Sequence, residues 1–328
     1  MSSAATDWKS LHGEHFSGCR CLVTGGAGFI GSHITEALVA LGGSVIVLDD
    51  LSGGSAQNLA HLSAVELVQG SILDRNALAR CLRGAKYVFH EAALGSVPRS
   101  VEQPALYNDV NTSGTLAVLE AAREAGVGRV IFAASSSAYG ENPNPWVETM
   151  PVLPRSPYAA TKVAGEGLMR AYALSLGLDT CSLRYFNIFG PRQNANSAYA
   201  AVIAAFAKAL LGGTRPVIYG DGEQSRDFTF VRNVVQANLL AANHPQPLEG
   251  IVVNVGCGQN VSVNKLAEVM ARALGRPELK PVHEQERAGD IKHSIADLKR
   301  SWEVLNYTPI AGFEEGLAET MEWYKSVL

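Results

Sequence analysis

The 328-residue chain has no apolar run near the ~20 residues that a membrane-spanning helix needs, so we do not expect an integral membrane protein. It also lacks an excess of basic residues. Its formal net charge of −4 predicts no binding to nucleic acid or to an acidic membrane surface. Its five cysteines are odd in number and show no metal-binding spacing, which predicts no metal site and a reducing, cytoplasmic location.

The N-terminal stretch is polar. Its first 17 residues, MSSAATDWKSLHGEHFS, lack the apolar core of a signal peptide. We therefore expect residues 1–17 to be a polar extension ahead of the folded domain.

Short runs of Val, Ile and Leu alternate with helical stretches over the first half of the chain. The predicted strands lie in CLVTG, SVIVLDD, AVELVQGSI, AKYVFHEAA, RVIFAASSS and LDTCSLRYFN. Because these runs do not alternate with polar residues, they are typical of strands that are buried on both faces. Alternation of strand and helix predicts an α/β fold with a doubly wound parallel sheet of the Rossmann type.

Polar, loop-rich segments replace this rhythm after about residue 187. We predict a first domain of residues 18–187 plus about 228–258, because FVRNVVQANLLAA and GIVVNVGCG return to it. A smaller C-terminal lobe then consists of 188–227 plus about 259–328.

A glycine-rich turn follows the first predicted strand. VTGGAGFIGSHI carries Gly25, Gly28 and Gly31 at the start of a helix, where glycine allows a tight turn and close approach to a pyrophosphate. Asp49 ends the next strand about 20 residues later, where a carboxylate binds the adenosine ribose and repels a 2′-phosphate. A structural turn and a capping aspartate are the alternatives, but the strand–turn–helix context favours an NAD site.

A second pattern, SPYAATK, places Tyr158 and Lys162 four residues apart on one helix face. A free phenol has a pKa of about 10, and a neighbouring ammonium lowers it. Oxidation of an alcohol by hydride transfer needs a base for the hydroxyl proton, and Tyr158 suits that role. The pair could be an ordinary helix face, but the NAD site upstream favours chemistry.

Five segments occur in the order found in the extended short-chain dehydrogenase/reductase family, namely TGGAGFIG, HEAA, ASSSAYG, SPYAATK and RYFNIFGP. The chain resembles this family over nearly its whole length. The resemblance implies that Ser135, Tyr158 and Lys162 are catalytic and that Ser135 contacts the reacting oxygen. It also implies a homodimer, formed by a four-helix bundle of the helices around 107–125 and 157–175.

The same resemblance extends the cofactor site. Ser71 stands where family members commonly carry an aspartate that contacts adenine, and a serine can still form a hydrogen bond. The cofactor-binding residues that we predict are Gly25, Gly28, Phe29, Ile30, Gly31, Asp49, Asp50, Leu51, Ser52, Gly53, Ser71, Ile72, Ala92, Ala93, Tyr158, Lys162 and Tyr185.

The residues after Ser135 indicate the reaction. Sugar 4,6-dehydratases of the family carry Asp-Glu at this point and the decarboxylases typically carry a glutamate, whereas this chain has Ser136 and Ser137. Without that carboxylate the site can oxidise and re-reduce a sugar, which predicts a UDP-sugar 4-epimerase that uses NAD.

The substrate pocket resembles that of epimerases that prefer N-acetylated UDP-hexoses. Ser294 stands four residues after Asp290, where a tyrosine would leave no room for an N-acetyl group. We expect UDP-GlcNAc and UDP-GalNAc to be preferred over UDP-Glc and UDP-Gal, since a roomy pocket need not reject a smaller sugar. The substrate-binding residues that we predict are Gly95, Ser96, Ser136, Ser137, Tyr158, Asn187, Ala201, Val202, Tyr219, Arg226, Arg287, Asp290 and Ser294.

Two other functions stay open at this point. A UDP-glucuronate-type 4-epimerase would need an extra cation for the sugar carboxylate, and Arg99 and Arg192 are candidates. A non-catalytic NAD-binding scaffold of the same fold is the other alternative, although it would have no need of all three catalytic residues.

Overall fold

The computed structural model of the chain describes residues 6–195, 202–286 and 292–328. Its helices are α1 (Trp8–His12), α2 (Phe29–Ala40), α3 (Arg75–Cys81), α4 (Val97–Glu102), α5 (Pro104–Tyr107), α6 (Gly114–Glu124), α7 (Pro157–Leu176), α8 (Val202–Leu211), α9 (Val231–Asn243), α10 (Val263–Ala273), α11 (Lys299–Leu305) and α12 (Phe313–Val327). Its strands are β1 (Arg20–Thr24), β2 (Ser44–Asp49), β3 (Glu66–Gln69), β4 (Tyr87–His90), β5 (Arg129–Ser135), β6 (Thr180–Tyr185), β7 (Ile188–Phe189), β8 (Val217–Tyr219), β9 (Ser225–Arg226), β10 (Thr229–Phe230), β11 (Ile251–Val255), β12 (Val261–Ser262), β13 (Val282–Glu284) and β14 (His293–Ser294).

Seven of the strands form one parallel sheet in the order β3-β2-β1-β4-β5-β6-β11. The predicted Rossmann-type fold is therefore confirmed. The chain runs from β1 outward to β3 and then crosses to β4 on the other side of β1. In such sheets ligands bind at the carboxyl ends of the strands where the order reverses, which here is the gap between β1 and β4.

Both faces of the sheet are covered, as the apolar runs predict. Within β1, Cys21 and Val23 point into one core together with residues of α2 and α9. Leu22 points into the opposite core, which α3, α6 and α7 complete. Each fully buried aliphatic side chain of this kind contributes roughly 1.5–3 kcal/mol to folding, which is why the strand sequences have no polar face.

A separate hydrophobic core lies among α8, α10 and α12 and includes Phe206, Leu266 and Leu317. Strand β11 pairs in parallel with β6 at the edge of the large sheet. The two-lobe division and its boundaries stay a prediction.

Part of the N-terminal stretch packs on the first domain. Phe16 is fully buried in the core that contains α2 and α9. His12, at the end of α1, lies with its Nε2 atom 2.8 Å from Oε1 of Gln236 on α9. The described part of the predicted polar extension, residues 6–17, thus contributes apolar packing to the domain.

Among the residues that the structure describes, no helix is both long and apolar enough to cross a bilayer. The five cysteine thiols are free, and three of them are buried.

Asp227 joins three loops at the edge of the second lobe. Its side chain is fully buried, and its carboxylate accepts hydrogen bonds from the backbone N–H groups of Cys257 (2.8 Å), Gly258 (2.9 Å) and Ala296 (3.1 Å). Burial raises the pKa of this carboxyl to about 6, although the backbone N–H donors oppose the shift. The segment after β11 and the segment after β14 therefore depend on one acceptor group.

Replacement of Asp227 by asparagine should destabilise the fold, because an amide has one acceptor oxygen where the carboxylate has two. Leaving a buried N–H donor without a partner costs about 1–3 kcal/mol. We expect a loss of that size in the free energy of unfolding, measured by urea denaturation. Asp221→Asn is the matched control, since Asp221 is exposed. Equal unfolding midpoints for the two variants would contradict the expectation.

Candidate active site

A cleft of about 670 Å³ opens at the carboxyl ends of the central strands, where the strand order reverses. Segments that follow β1, β2, β3 and β4 line it, together with the last residues of β5 and β6. This is the position at which doubly wound sheets bind dinucleotides.

The glycine turn between β1 and α2 has two positions that only glycine can occupy. Gly25 has a φ of +68°, and a Cβ atom there would lie 2.7 Å from the backbone nitrogen of Ala92. A Cβ on Gly31 would lie 2.3 Å from the carbonyl oxygen of Gly25. The first turn of α2 therefore lies directly on the loop, and the N-terminus of the helix, where backbone N–H groups lack partners within the helix, lies at the cleft. These residues fit the pyrophosphate of a dinucleotide.

Asp49 shapes the same loop. Its carboxylate accepts hydrogen bonds from the backbone N–H groups of Ala27 (2.9 Å) and Leu51 (2.8 Å). Burial raises the pKa of Asp49, and these two hydrogen bonds oppose the shift. A carboxylate has about four acceptor sites, so Asp49 keeps capacity for ribose hydroxyls in addition to the loop.

The cleft brings together most of the predicted cofactor residues. Leu51 is the exception: it does not line the cleft, and it adopts a φ of +62° while its N–H binds Asp49. Gly95 and Ser96, predicted for the substrate, line the same cleft. The predicted cofactor residues that line it are Gly25, Gly28, Phe29, Ile30, Gly31, Asp49, Asp50, Ser52, Gly53, Ser71, Ile72, Ala92, Ala93, Tyr158, Lys162 and Tyr185.

Helix α7 presents Tyr158 and Lys162 to this cleft. The Ser156 hydroxyl caps the helix by accepting the N–H of Ala159 (3.1 Å), so Tyr158 lies in the first turn and Lys162 one turn later. The ammonium of Lys162 is buried and donates a hydrogen bond to the carbonyl of Ala133 (2.7 Å). It lies 6.0 Å from the centroid of the Tyr158 ring.

The surroundings of Tyr158 change one expectation. Burial raises the pKa of its phenol, and a hydrogen bond with Ser135 lowers it. The pKa of Tyr158 is thus raised overall, opposite to the lowering that the sequence predicts, because the main effect is the cost of burying the phenolate. The Ser135 oxygen accepts the N–H (3.2 Å) and hydroxyl (2.9 Å) of Ser137, which leaves its own proton for Tyr158.

Glu91 is a residue that sequence reasoning missed. It follows β4 directly and lines the cleft, and its Oε1 accepts a hydrogen bond from the Tyr185 hydroxyl (2.7 Å). The same hydroxyl accepts a hydrogen bond from Asn238 of α9 (2.7 Å). Burial raises the pKa of Glu91 to about 7. A charged residue directly after a buried parallel strand is a signal that could have identified it.

The loop after Glu91 is held by two further residues that were not predicted. Oδ1 of Asn111 accepts the N–H of Leu94 (2.8 Å), and the Tyr107 hydroxyl accepts the N–H of Ser96 (3.1 Å). Asn111 belongs to a π-helical turn, 108–113, a feature that is frequent at functional sites.

Three predicted substrate residues meet beside the second lobe. Ser294 of β14 lies opposite Arg226 of β9 in parallel register. Asn187, in a left-handed conformation after β6, donates its side-chain amide to the Ser294 hydroxyl (3.2 Å).

The other predicted substrate residues are more dispersed. Ser136 and Ser137 begin a short 3₁₀ helix after β5, and Val202 begins α8. Tyr219 lines a separate depression of about 280 Å³ with Lys292 and His293. Ala201, Arg287 and Asp290 lie outside the described residues. Within the described residues, no cluster of His, Cys, Asp and Glu is arranged to hold a metal ion.

Residues 21–256 match the NAD dependent epimerase/dehydratase family. The chain belongs to this family. A UDP-glucose 4-epimerase of Mycolicibacterium smegmatis is 41% identical over 314 residues, which cover 94% of this chain and 99% of that protein.

Solved structures show the same relationship. A UDP-N-acetylglucosamine 4-epimerase of Methanobrevibacter ruminantium M1, in complex with UDP-N-acetylmuramic acid, has a TM-score of 0.90 and 42% identity, covering 95% of this chain and all (100%) of that one. A UDP-glucose 4-epimerase of Thermus thermophilus, in complex with NAD, has a TM-score of 0.85 and 36% identity, with 94% and 100% covered. The predicted family and the predicted cofactor, NAD, are confirmed.

Replacement of Gly31 by alanine should weaken NAD binding by about tenfold or more, because the new methyl group forces α2 away from the loop that faces the pyrophosphate. The NAD content of the purified protein and calorimetric titration with NAD would measure this. Gly167→Ala on α7 is the control, since a Cβ there meets no heavy atom within 4 Å. A Gly31→Ala variant that retains wild-type NAD affinity would overturn the assignment of the loop.

Replacement of Ser135 by alanine should raise the pKa of Tyr158, because the hydrogen bond that it removes favours the phenolate. The acid limb of the pH–rate profile should then move to higher pH, by roughly 1 unit for a lost hydrogen bond of about 1 kcal/mol. Ser136→Ala is the control and should leave this limb in place, whatever it does to KM. An unmoved acid limb in Ser135→Ala would show that Ser135 does not assist the proton transfer.

Proposed function

We propose that the protein is a UDP-sugar 4-epimerase that interconverts UDP-GlcNAc and UDP-GalNAc and acts less efficiently on UDP-Glc and UDP-Gal. The observation that carries this proposal is the dinucleotide cleft into which α7 brings Tyr158 and Lys162, with serines rather than carboxylates following Ser135. The 4-epimerase activities of the relatives support it.

The chain's own part in the reaction is to hold and move one proton. Bound NAD supplies the hydride acceptor and donor for C4 of the sugar. Tyr158 takes the proton of the 4-hydroxyl, while Ser135 holds the sugar oxygen. It returns the proton after the 4-keto sugar has rotated and presents its opposite face. Lys162 favours the phenolate electrostatically. Because the proton and the hydride both return, the reaction has no net oxidation.

The preference for N-acetylated sugars rests on small residues around the sugar position. Ser294 contributes a small hydroxyl side chain beside Asn187. Gly95 lines the cleft, and a Cβ there would meet no heavy atom within 4 Å, which leaves open space in the loop. Gly95 therefore leaves room in the cleft for an additional acetamido group, and we propose the same of Ser294 from its resemblance to the epimerases that act on N-acetylated sugars.

A UDP-uronate 4-epimerase is the second candidate function, and it depends on a cation that can reach the sugar. Arg192 is engaged: its guanidinium donates to Glu36 (2.5 Å) and to Ser32 (3.3 Å). Arg99 lines the cleft and is the better placed of the two for a sugar carboxylate. The presence of both Tyr158 and Lys162 in the cleft favours either epimerase over a non-catalytic scaffold.

We also propose a cytoplasmic homodimer formed through α6 and α7. These helices pack against each other on one face of the sheet. Leu116, Leu174 and Leu176 on them are exposed by 37%, 57% and 48%, and exposed apolar side chains of this kind suit contact with a second copy. Sedimentation of the purified protein would test this.

Purified protein should epimerise UDP-GlcNAc without added NAD, since a cofactor that is regenerated in every cycle can stay bound. We would offer UDP-GlcNAc, UDP-Glc and UDP-GlcA separately and resolve the products by NMR. Fastest turnover of UDP-GlcNAc is expected. Fastest turnover of UDP-GlcA would favour the uronate epimerase, and no turnover of any, even with NAD restored, would contradict the proposed function.

Replacement of Ser294 by tyrosine should reduce the ratio of kcat/KM for UDP-GlcNAc over UDP-Glc by at least about tenfold, because the ring fills the space for the acetamido group. Ser294→Ala is the matched control: it removes the bond to Asn187 but keeps the pocket open. Equal loss on both sugars in a folded Ser294→Tyr variant would argue against the pocket.

A further inference from the structure

The order of the strands determines where the purine base of the cofactor would lie in the cleft. The glycine turn that fits the pyrophosphate follows β1, and Asp49, which keeps acceptor capacity for the adenosine ribose, ends β2. The base is attached to that ribose on the side away from the pyrophosphate. Because β3 is the neighbour of β2 on that side, the base belongs at the carboxyl end of β3.

Three consecutive residues after β3 form this end of the cleft, namely Gly70, Ser71 and Ile72. The N–H of Gly70 donates to the carbonyl of Asp49 (3.0 Å), which joins the start of this segment to the end of β2. Ile72 is buried and contributes an apolar surface. Of these three described residues, Ser71 alone has a polar side chain, so its hydroxyl is the group that can bind the edge of a base.

Two aspartates belong to the neighbouring turns, and each already has a backbone partner. Asp74 is the N-cap of α3, and its Oδ1 accepts the N–H of Asn76 (2.9 Å); it does not line the cleft. Asp50 lines the cleft directly after β2, and its Oδ1 accepts the N–H of Ser52 (2.9 Å). The three residues after β3 therefore present a hydroxyl to the cleft and no carboxylate.

The Ser71 hydroxyl can act toward a ligand both as a donor and as an acceptor. Its oxygen accepts the N–H of Leu73 (3.2 Å). A serine hydroxyl has one proton and two lone pairs, so the proton and one lone pair stay available. An ionised carboxylate at the same place could only accept.

This difference decides which purines can bind. The 6-amino group of adenine is a hydrogen-bond donor, whereas the 6-oxo group of a purine such as hypoxanthine is an acceptor. A carboxylate pairs with the amino group but leaves the oxo group facing lone pairs, and an unpaired polar group in a site lowers affinity. A hydroxyl can accept from the amino group or donate to the oxo group.

We propose that Ser71 makes the cofactor site tolerant of the purine, so that the protein binds nicotinamide hypoxanthine dinucleotide about as tightly as NAD. Ser71 is then a specificity-determining residue for the cofactor. The inference goes beyond the proposed function, because it concerns the base of the dinucleotide and not the sugar substrate.

A competition experiment measures this tolerance. Purified full-length protein is incubated with equal, excess concentrations of NAD and the hypoxanthine dinucleotide until the bound composition is constant. After the free nucleotides have been removed, the protein is denatured and the two released dinucleotides are separated by chromatography and quantified. We expect the ratio of bound NAD to bound analogue to lie within about threefold of unity, well below the tenfold that corresponds to about 1.4 kcal/mol.

Ser71→Asp should raise this ratio by about tenfold or more, because the new carboxylate accepts from the amino group and repels the oxo group. An aspartate also accepts the N–H two residues along the chain, so the bond from Leu73 should be kept. Ser52→Asp is the matched control, since Ser52 lines the cleft after β2. It adds the same charge and should leave the ratio unchanged, even if both affinities fall. Ser71→Ala should weaken the binding of both dinucleotides alike.

A wild-type ratio of about tenfold or more in favour of NAD would overturn the inference, because another group would then discriminate at the 6-position. A Ser71→Asp ratio equal to that of the wild type would also overturn it, because the base would then lie away from Ser71. The measurement contains no sugar, so a failure to epimerise UDP-sugars would leave it unaffected and the two failures are distinguishable.

Discussion

The contact between Gly31 and the carbonyl of Gly25 is the constraint on which the site depends. Because α2 lies directly on the loop after β1, the N-terminus of α2 reaches the carboxyl edge of the sheet. There the carboxylate of Asp49 fixes the loop by accepting a hydrogen bond from the N–H of Ala27. The position of that loop determines where a dinucleotide can lie across the sheet. Tyr158 and Lys162 of α7 line the same cleft, so the glycine loop and the helix that carries the two proposed catalytic residues are positioned by one sheet.

The parts of this arrangement that depend on local sequence could be predicted. Apolar runs indicated the strands, the glycine spacing indicated the turn, and the i, i+4 spacing indicated the shared face of Tyr158 and Lys162. Contacts between distant segments could not be predicted in this way. Glu91 meets Tyr185 across 94 positions of sequence, and only the order of the strands brings them together. The direction of the Tyr158 pKa shift was missed for a related reason, since burial is a property of the packed structure.

The two lobes support their ligand sites in different ways. The cofactor site rests on strands of four to seven residues in a continuous sheet, whereas the predicted sugar site rests on pairs of two-residue strands and on loops. Asp227 compensates for this by joining the loops through its carboxylate. Sugar selectivity can therefore vary through loop residues, such as those near Ser294, while the sheet that holds the cofactor stays the same.

The burial of Phe16 has a practical consequence for shortened versions of the chain. The family match begins at residue 21, so a designer of an expression plasmid would be inclined to start there. That choice removes a ring from a core shared with α2, the helix that lies on the glycine loop. Loss of a buried phenylalanine side chain costs about 3–5 kcal/mol, a large share of the stability of an ordinary domain. Tags and cleavage sites should accordingly precede the first helix and leave the segment from Trp8 to Phe16 in place.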